Sequence, residues 1–249
     1  MSFRGTRFLV NEKSLEINIT SELMSSLGAG AIGFTHRQES ELGADVYLPI
    51  GRPLLLQYKK AHRGRDFIEA TFHINNNGNR TQHRTLDVLS RSGFCDAFYV
   101  FPLIIHNQQF VQSFGMLSNA SVYVTPSQIT DSVANRPHDW MDKIHSVTAN
   151  SRMGFTVRSL DEGKGKCISR AEMLEKIKLH LDSAKERHGE TLSKHIEKTI
   201  YQMEEIVREA LIPYRSEHTL TLLLQSNMDR ALHYVSLPVQ LRGIEKRPD

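Results

Sequence analysis

Leu15, Ile19, Leu23 and Leu27 recur at every fourth position, with Met24 beside them, so they line one face of a helix. Gly28 stands where such a helix ends, because glycine takes a left-handed backbone without a Cβ penalty. The stretch from Gly28 to Gly33 reads as a loose glycine loop. Residues 44–48 read as a short strand, 49–53 as a proline turn, and 54–60 as a second strand. A polar turn at 62–66 leads to an alternating third strand at 67–74, which Asn75-Asn76-Asn77-Gly78 stops. Leu86 and Leu89 give helical spacing to 81–90. An apolar run predicts a buried strand at 94–105, and another follows at 120–124. Residues 129–165 read as irregular, with His, Asp and Gly throughout. The segment 169–211 is charged and helical, and Ser169 with Glu172 makes a capping-box start. Gly189 divides that segment, Pro213 stops it, and 219–224 and 233–237 read as closing strands.

Composition narrows the class. The chain has 249 residues, enough for one large domain with an appendage. Its 39% hydrophobic and 24% charged residues are ordinary for a globular protein. A net charge of +3 permits nucleic-acid binding but requires any basic surface to be local. Cys95 and Cys167 form neither a metal-ligand cluster nor a disulfide framework, which fits a reducing compartment. The longest apolar run, 97–105, contains Pro102 and is too short to span a bilayer. The N-terminus lacks the features of a signal peptide, so a cytoplasmic protein without a membrane partner is expected.

The candidate chemistry sits on the second strand. Alternation puts Leu55, Gln57 and Lys59 on one face, so two polar groups project together from an apolar strand. A hairpin would bring Asp45 beside them. A carboxylate, an amide oxygen and the intervening carbonyl can share a hard cation. A lysine beside that cation can orient water and offset charge on a phosphate. The bland alternatives are a turn aspartate and a strand that emerges into solvent at Lys59-Lys60.

The segment Glu39-Ser-Glu-Leu-Gly-Ala-Asp45, followed twelve residues later by Gln57-Tyr-Lys59, resembles the PD-(D/E)XK, or restriction-endonuclease-like, nuclease superfamily. It is most similar to the branches that carry Gln in place of the second acid, the Mrr-like enzymes and the nuclease domains of bacterial anti-phage effectors. The order helix, three strands, helix, strand also matches, over roughly residues 8–105. The resemblance implies an α/β fold, a mixed central sheet flanked by helices, with a C-terminal helical extension. It implies a Mg²⁺- or Mn²⁺-dependent endonuclease acting on DNA in bacterial antiviral defence, working with a partner protein or as a homo-oligomer. By this resemblance Asp45 is the principal metal ligand, Gln57 fills the usual acidic position, and Lys59 is the catalytic lysine. Glu39 is the acid of the glycine-containing signature, with Glu41 its local rival, and Glu16 on the first helix supports the metal. Gln57 departs from the usual pattern, because a neutral amide brings less charge to a metal than a carboxylate.

A basic set lies nearby. Lys60, Arg63 and Arg65 follow the motif strand, and Arg80, Arg84 and Arg91 lie on the next predicted helix, positions from which a phosphate backbone can be tracked. A solubilising face is the alternative. Gly28-Ala-Gly-Ala-Ile-Gly33 fits a dinucleotide fingerprint, but a helix precedes it, no clear helix follows, and Arg52-Pro53 stand where an acid is needed. The expected organisation is a nuclease-like core at 1–130 and, packed on it, an irregular loop, a charged helix pair and closing strands at 131–249. A non-catalytic scaffold on the same fold, an RNA-cutting toxin and an unrelated small-molecule enzyme are the rival readings.

Overall fold

The computed structural model describes residues 10–28, 30–49, 52–65, 67–75, 81–137, 139–158, 162–184, 194 and 196–210. In chain order the helices and strands are α1 (Glu12–Leu27), β1 (Ile32–Gly33), α2 (His36–Leu42), β2 (Val46–Leu48), β3 (Leu54–Tyr58), β4 (Arg63–Arg65) and β5 (Glu69–Ile74). There follow α3 (Gln82–Arg91), β6 (Asp96–Pro102), α4 (Asn107–Gln112), β7 (Ser121–Val124) and α5 (Pro126–Ser132). A 3₁₀ turn (Trp140–Asp142) precedes β8 (His145–Asn150), β9 (Gly154–Arg158), β10 (Glu162–Lys166) and α6 (Arg170–Ala184). A further helix spans 196–210. Residues to Val207 form one unit, and Arg208–Asp249 a second, of which only 208–210 are described.

The strands build two five-stranded sheets, β1-β2-β3-β6-β7 and β10-β9-β8-β5-β4. The first is mixed: β3 and β6 run parallel, joined through β4, β5 and α3, and the other pairs are antiparallel. The second is antiparallel throughout. The protein is therefore mixed α/β, with a mixed sheet flanked by helices.

α1 starts at Asn11, whose side chain accepts from the Lys13 N–H, and stops at Gly28 with φ 61°. Its Leu15, Ile19 and Leu23 are buried against Leu54, Leu56 and Tyr58 of β3, with Phe98 and Val100 of β6 in the same core. Met173, Leu174 and Ile177 of α6 join this core. The capping box at Ser169 is present, with Glu172 accepting from the Ser169 N–H at 2.7 Å. Among the described residues no helix is long and apolar enough to cross a membrane.

Four expectations change. Residues 36–42 form a helix, α2, because Thr35 and Gln38 make a capping box. That helix also follows the 28–33 segment, whose last two residues form β1, so the segment is a helix stop and a short strand rather than a loop alone. The third expected strand is shorter, and it leaves the first sheet: β5 pairs with β8, while the expected 62–66 turn contributes β4. The first sheet takes β1 instead, with α2 between β1 and β2, and with β4 and β5 of the second sheet between β3 and α3.

The region expected to be irregular, 129–165, holds three strands. Their apolar residues occur on one face only, at Val147, Ala149, Phe155 and Val157, between polar neighbours. In β10 the inward positions are Gly163 and Gly165; a Cβ on Gly165 would lie 2.4 Å from the Phe155 ring. Strands with glycine on the buried face carry little apolar signal. The β5–β8 pairing also joins residues on either side of position 130 within one sheet. The predicted closing strands at 219–224 and 233–237, and the division at Gly189, lie outside the described residues.

Candidate active site

The sequence Leu42-Gly43-Ala44-Asp45 is a junction between α2 and β2. Gly43 closes α2 with φ 72°. A Cβ there would lie 2.9 Å from the Gln82 carbonyl oxygen, so the missing side chain also lets the first turn of α3 approach. Asp45 then enters the sheet. Its N–H donates to the Leu56 carbonyl at 2.9 Å, and its carbonyl accepts from the Phe34 N–H at 3.0 Å. Register pairs Val46 with Leu56, so Asp45 stands across from Gln57 on the α3 side of the sheet.

The three motif residues meet there. Asp45 Oδ2 accepts from Gln57 Nε2 at 2.8 Å and from the Tyr58 N–H at 2.7 Å. The same Gln57 NH₂ donates to the Tyr58 carbonyl at 3.0 Å. Lys59 Nζ donates to Gln82 Oε1 at 2.7 Å, and Gln82 Nε2 donates to Gln57 Oε1 at 2.9 Å. Gln57 and Lys59 are 1% and 4% exposed, so both polar groups are held inside the protein rather than emerging into solvent.

Acids from α1 and α2 approach the same end of β3. Glu16, buried, takes the Lys13 ammonium at 2.6 Å, and Glu39 lies 4.0 Å from that ammonium. Glu41 pairs instead with Arg37 at 2.9 Å. Glu12 accepts from the Lys60 N–H at 2.9 Å and anchors the strand just past Lys59.

Burial pushes the Asp45 carboxyl up to about 7, against the opposing pull of Lys59 and the Tyr58 N–H; Glu16 and Glu12 add to the rise. Glu16 is also raised, by burial first, with Lys13 opposing and Glu39 and Glu12 adding. Burial lowers Lys59, while Glu12 and Asp45 work against that shift. Burial is the first cause of both rises, and buried oxygen donors of this kind suit a divalent cation. One point, now the Gln57 NH₂, lies within hydrogen-bond reach of both Asp45 Oδ2 and the Tyr58 carbonyl. A cation fits this donor set once Gln57 offers its oxygen there. Among the described residues no three His, Cys, Asp or Glu side chains converge as a ligand group, so the set depends on the amide and the carbonyl.

Two members of this site carried no signal of their own. Gln82 is the first residue of α3, and Glu12 the first of α1. An i, i+4 relation between Glu12 and Glu16 was the available hint for the second.

The basic set divides. Arg63 and Arg65 are exposed on β4, and Lys60 is half-buried. Arg84 is corrected from the phosphate-tracking role: it is 3% exposed and pairs with Asp142 at 2.8 Å, because its position on α3 faces the interior. Arg91 binds Asp87 and Asp131. Arg80 lies outside the described residues. A cationic surface that the sequence did not suggest runs across the second sheet. Register aligns Arg63, Thr71, Thr148, Thr156 and Lys164 in one row, and partners in such a row share a face. Arg65, Arg158 and Lys166 project on the same face, where Glu69 and Glu162 are the acids.

No family model matches the chain, and no curated protein matches it.

Proposed function

We propose that this protein is a metal-dependent nuclease of the restriction-endonuclease-like type, hydrolysing DNA phosphodiester bonds as part of a bacterial antiviral defence system. The observation that carries the reading is the meeting of Asp45, Gln57 and Lys59 at one end of β3, with a desolvated carboxylate facing a desolvated lysine through two amides. The first sheet supports it: α1 precedes the antiparallel strands β1, β2 and β3, with α2 inserted after β1, and α3 leads from the β4–β5 excursion into a β6 that is parallel to β3.

Asp45, the Gln57 amide oxygen and the Tyr58 carbonyl would hold Mg²⁺ or Mn²⁺, with Glu16 and Glu39 behind them. When bound, the ion supplies a water of lowered pKa and a Lewis acid for the phosphoryl oxygen. Lys59, released from Gln82, offers its ammonium to the phosphate oxygens and stabilises the charge that builds in the transition state. Its depressed pKa also lets it exchange a proton nearer neutrality than an exposed lysine. Arg63, Arg65, Arg158, Lys164 and Lys166 offer the cations that a nucleic-acid backbone needs, flanking a floor of threonines. A homo-oligomer or a partner defence protein completes the proposal.

The test is cleavage of supercoiled plasmid with Mg²⁺ or Mn²⁺ by wild type, Asp45→Ala and Lys59→Ala. Cutting that requires metal and falls by about 10²–10³-fold or more in both variants is expected. Cutting that survives both substitutions places the chemistry elsewhere. Cleavage of RNA in preference to plasmid selects the toxin reading. One observation favours a non-catalytic scaffold as the second reading: the Gln57 oxygen is already engaged by Gln82. Neither cutting nor Mg²⁺ binding by the wild type would select that reading.

A further inference from the structure

The hydrogen bonds from Asp45 to Lys59 have a direction. Gln57 NH₂ donates to Asp45 and the Tyr58 carbonyl, Gln82 NH₂ donates to Gln57 Oε1, and Lys59 donates to Gln82 Oε1. A primary amide has one donor end and one acceptor end, so reversing one amide in a chain forces the next to reverse. A hard cation held between Asp45 Oδ2 and the Tyr58 carbonyl needs the Gln57 oxygen, not its NH₂, turned to that side.

We propose that Gln82 is a positioning residue that couples Lys59 to the cation site, so that turning the Gln57 oxygen toward Asp45 and the Tyr58 carbonyl reverses Gln82 and drives Lys59 off it. The inference rests on the metal-dependent reading above and describes how that same site is switched.

Each step follows from the one before. With Gln57 reversed, its NH₂ faces Gln82, which can accept only by presenting Oε1. The Gln82 NH₂ then points at the Lys59 ammonium. Lysine has three donors and no acceptor, so the contact is lost. Lys59 becomes available to a phosphate when the cation is in place and stays tied when it is not. The close approach of α3 at Gly43 fixes the backbone of Gln82, which leaves amide rotation as the free motion.

The experiment uses the full chain, Mg²⁺ alone and no nucleic acid. It follows the side-chain NMR signals of labelled glutamines and lysines. In wild type, Mg²⁺ is expected to move the Gln57 and Gln82 amide signals and the Lys59 Cε signal with one common midpoint. In Gln82→Met the Gln57 signal still moves and Lys59 stays still. In Gln82→Glu the new carboxylate accepts from Lys59 in either arrangement, but from Gln57 only once its NH₂ has turned toward α3, which favours the reversed amide. That variant is expected to bind Mg²⁺ several-fold tighter while Lys59 stays tied. A Gln82 that only packs would give neither pattern. Lys59 moving in Gln82→Met as it does in wild type overturns the coupling, as does a wild-type Gln82 signal that ignores Mg²⁺ while Gln57 responds. If Mg²⁺ moves none of the three signals in wild type, the metal reading fails and takes the coupling with it.

Discussion

Two neighbouring residues on α3 anchor two buried polar networks of opposite kind. Gln82 faces Asp45, Gln57 and Lys59, where a carboxylate and an ammonium are both desolvated and linked through amides. His83 faces the interior on the other side. Its Nδ1 meets the Tyr99 hydroxyl at 3.1 Å, and its Nε2 meets Thr130 Oγ1 at 3.0 Å. Thr130 donates to Asp87 at 3.1 Å, and Arg91 holds Asp87 at 2.9 Å. The His83 N–H donates to Asn75 Oδ1 at 2.8 Å, and Asn75 in turn donates to the Met141 and Lys143 carbonyls. The His83 network is built mostly of neutral groups, and its carboxylate has an arginine on it. The Gln82 network keeps opposite charges apart and dry, which costs stability. Buried polarity alone does not single out a candidate site; a buried charge separated from its counter-charge is what singles out the Gln82 network as one.

The largest expected effect falls on the quiet network. His83→Ala removes a fully buried ring, strands the Tyr99 hydroxyl and leaves Thr130 only its bond to Asp87, which should cost about 3 kcal/mol in a urea titration. Tolerance of that change within about 0.5 kcal/mol would mean that the network carries little of the fold.

The pH dependence is the next test. Burial first, then His145, Arg91 and Arg136, push His83 down to about 3. The folded state therefore holds His83 neutral while the unfolded chain protonates it near its ordinary value of 6.5. Below that value the unfolded state binds the extra proton, so its contribution to stability is complete above pH 6.5 and is lost as pH falls. The loss is about 1.4 kcal/mol per pH unit, continuing until the folded pKa near 3 is reached. His145, also lowered by burial, acts in the same direction. In His83→Gln this acid slope should flatten, and an unchanged slope would assign it to other groups.

The smallest effect has the opposite sign and falls on the candidate site. Asp45 is raised to about 7 from 3.8, so its folded state binds the proton more tightly. Its contribution to stability is present below about pH 4 and is lost as pH rises through 7. Asn at this position still accepts from Gln57 and the Tyr58 N–H. Metal-free Asp45→Asn should therefore be about 1 kcal/mol more stable than wild type at pH 8, read from thermal or urea midpoints. A variant less stable than wild type would put Asp45 among ordinary structural carboxylates.

How much of this was legible in the chain depended on whether the signal was local. The Leu15, Ile19, Leu23 spacing and Gly28 define α1 because helix periodicity and a left-handed stop are properties of consecutive residues. The alternation Leu55, Gln57, Lys59 placed both polar groups on one face for the same reason, and the hairpin made Asp45 their neighbour across the strand. The partners of those residues were not legible. Gln82 is 23 residues from Lys59 and Glu12 is 48 from Lys60, and no pattern around either points to that distant partner. Arg84 had the spacing of a surface cation and lies instead against Asp142, 58 residues on.

The assignment of strands to sheets divides along the same line. Alternation marked β5 as a strand, but its partner β8 comes from a region whose apolar residues occupy one face only and whose glycines hide the rest. Local pattern identified the elements and the motif, because backbone preference and side-chain period act between near neighbours. Which sheet a strand joined, which acids surrounded Asp45 and which amide held Lys59 were decided by tertiary packing, because those contacts exist only once distant segments exclude water together.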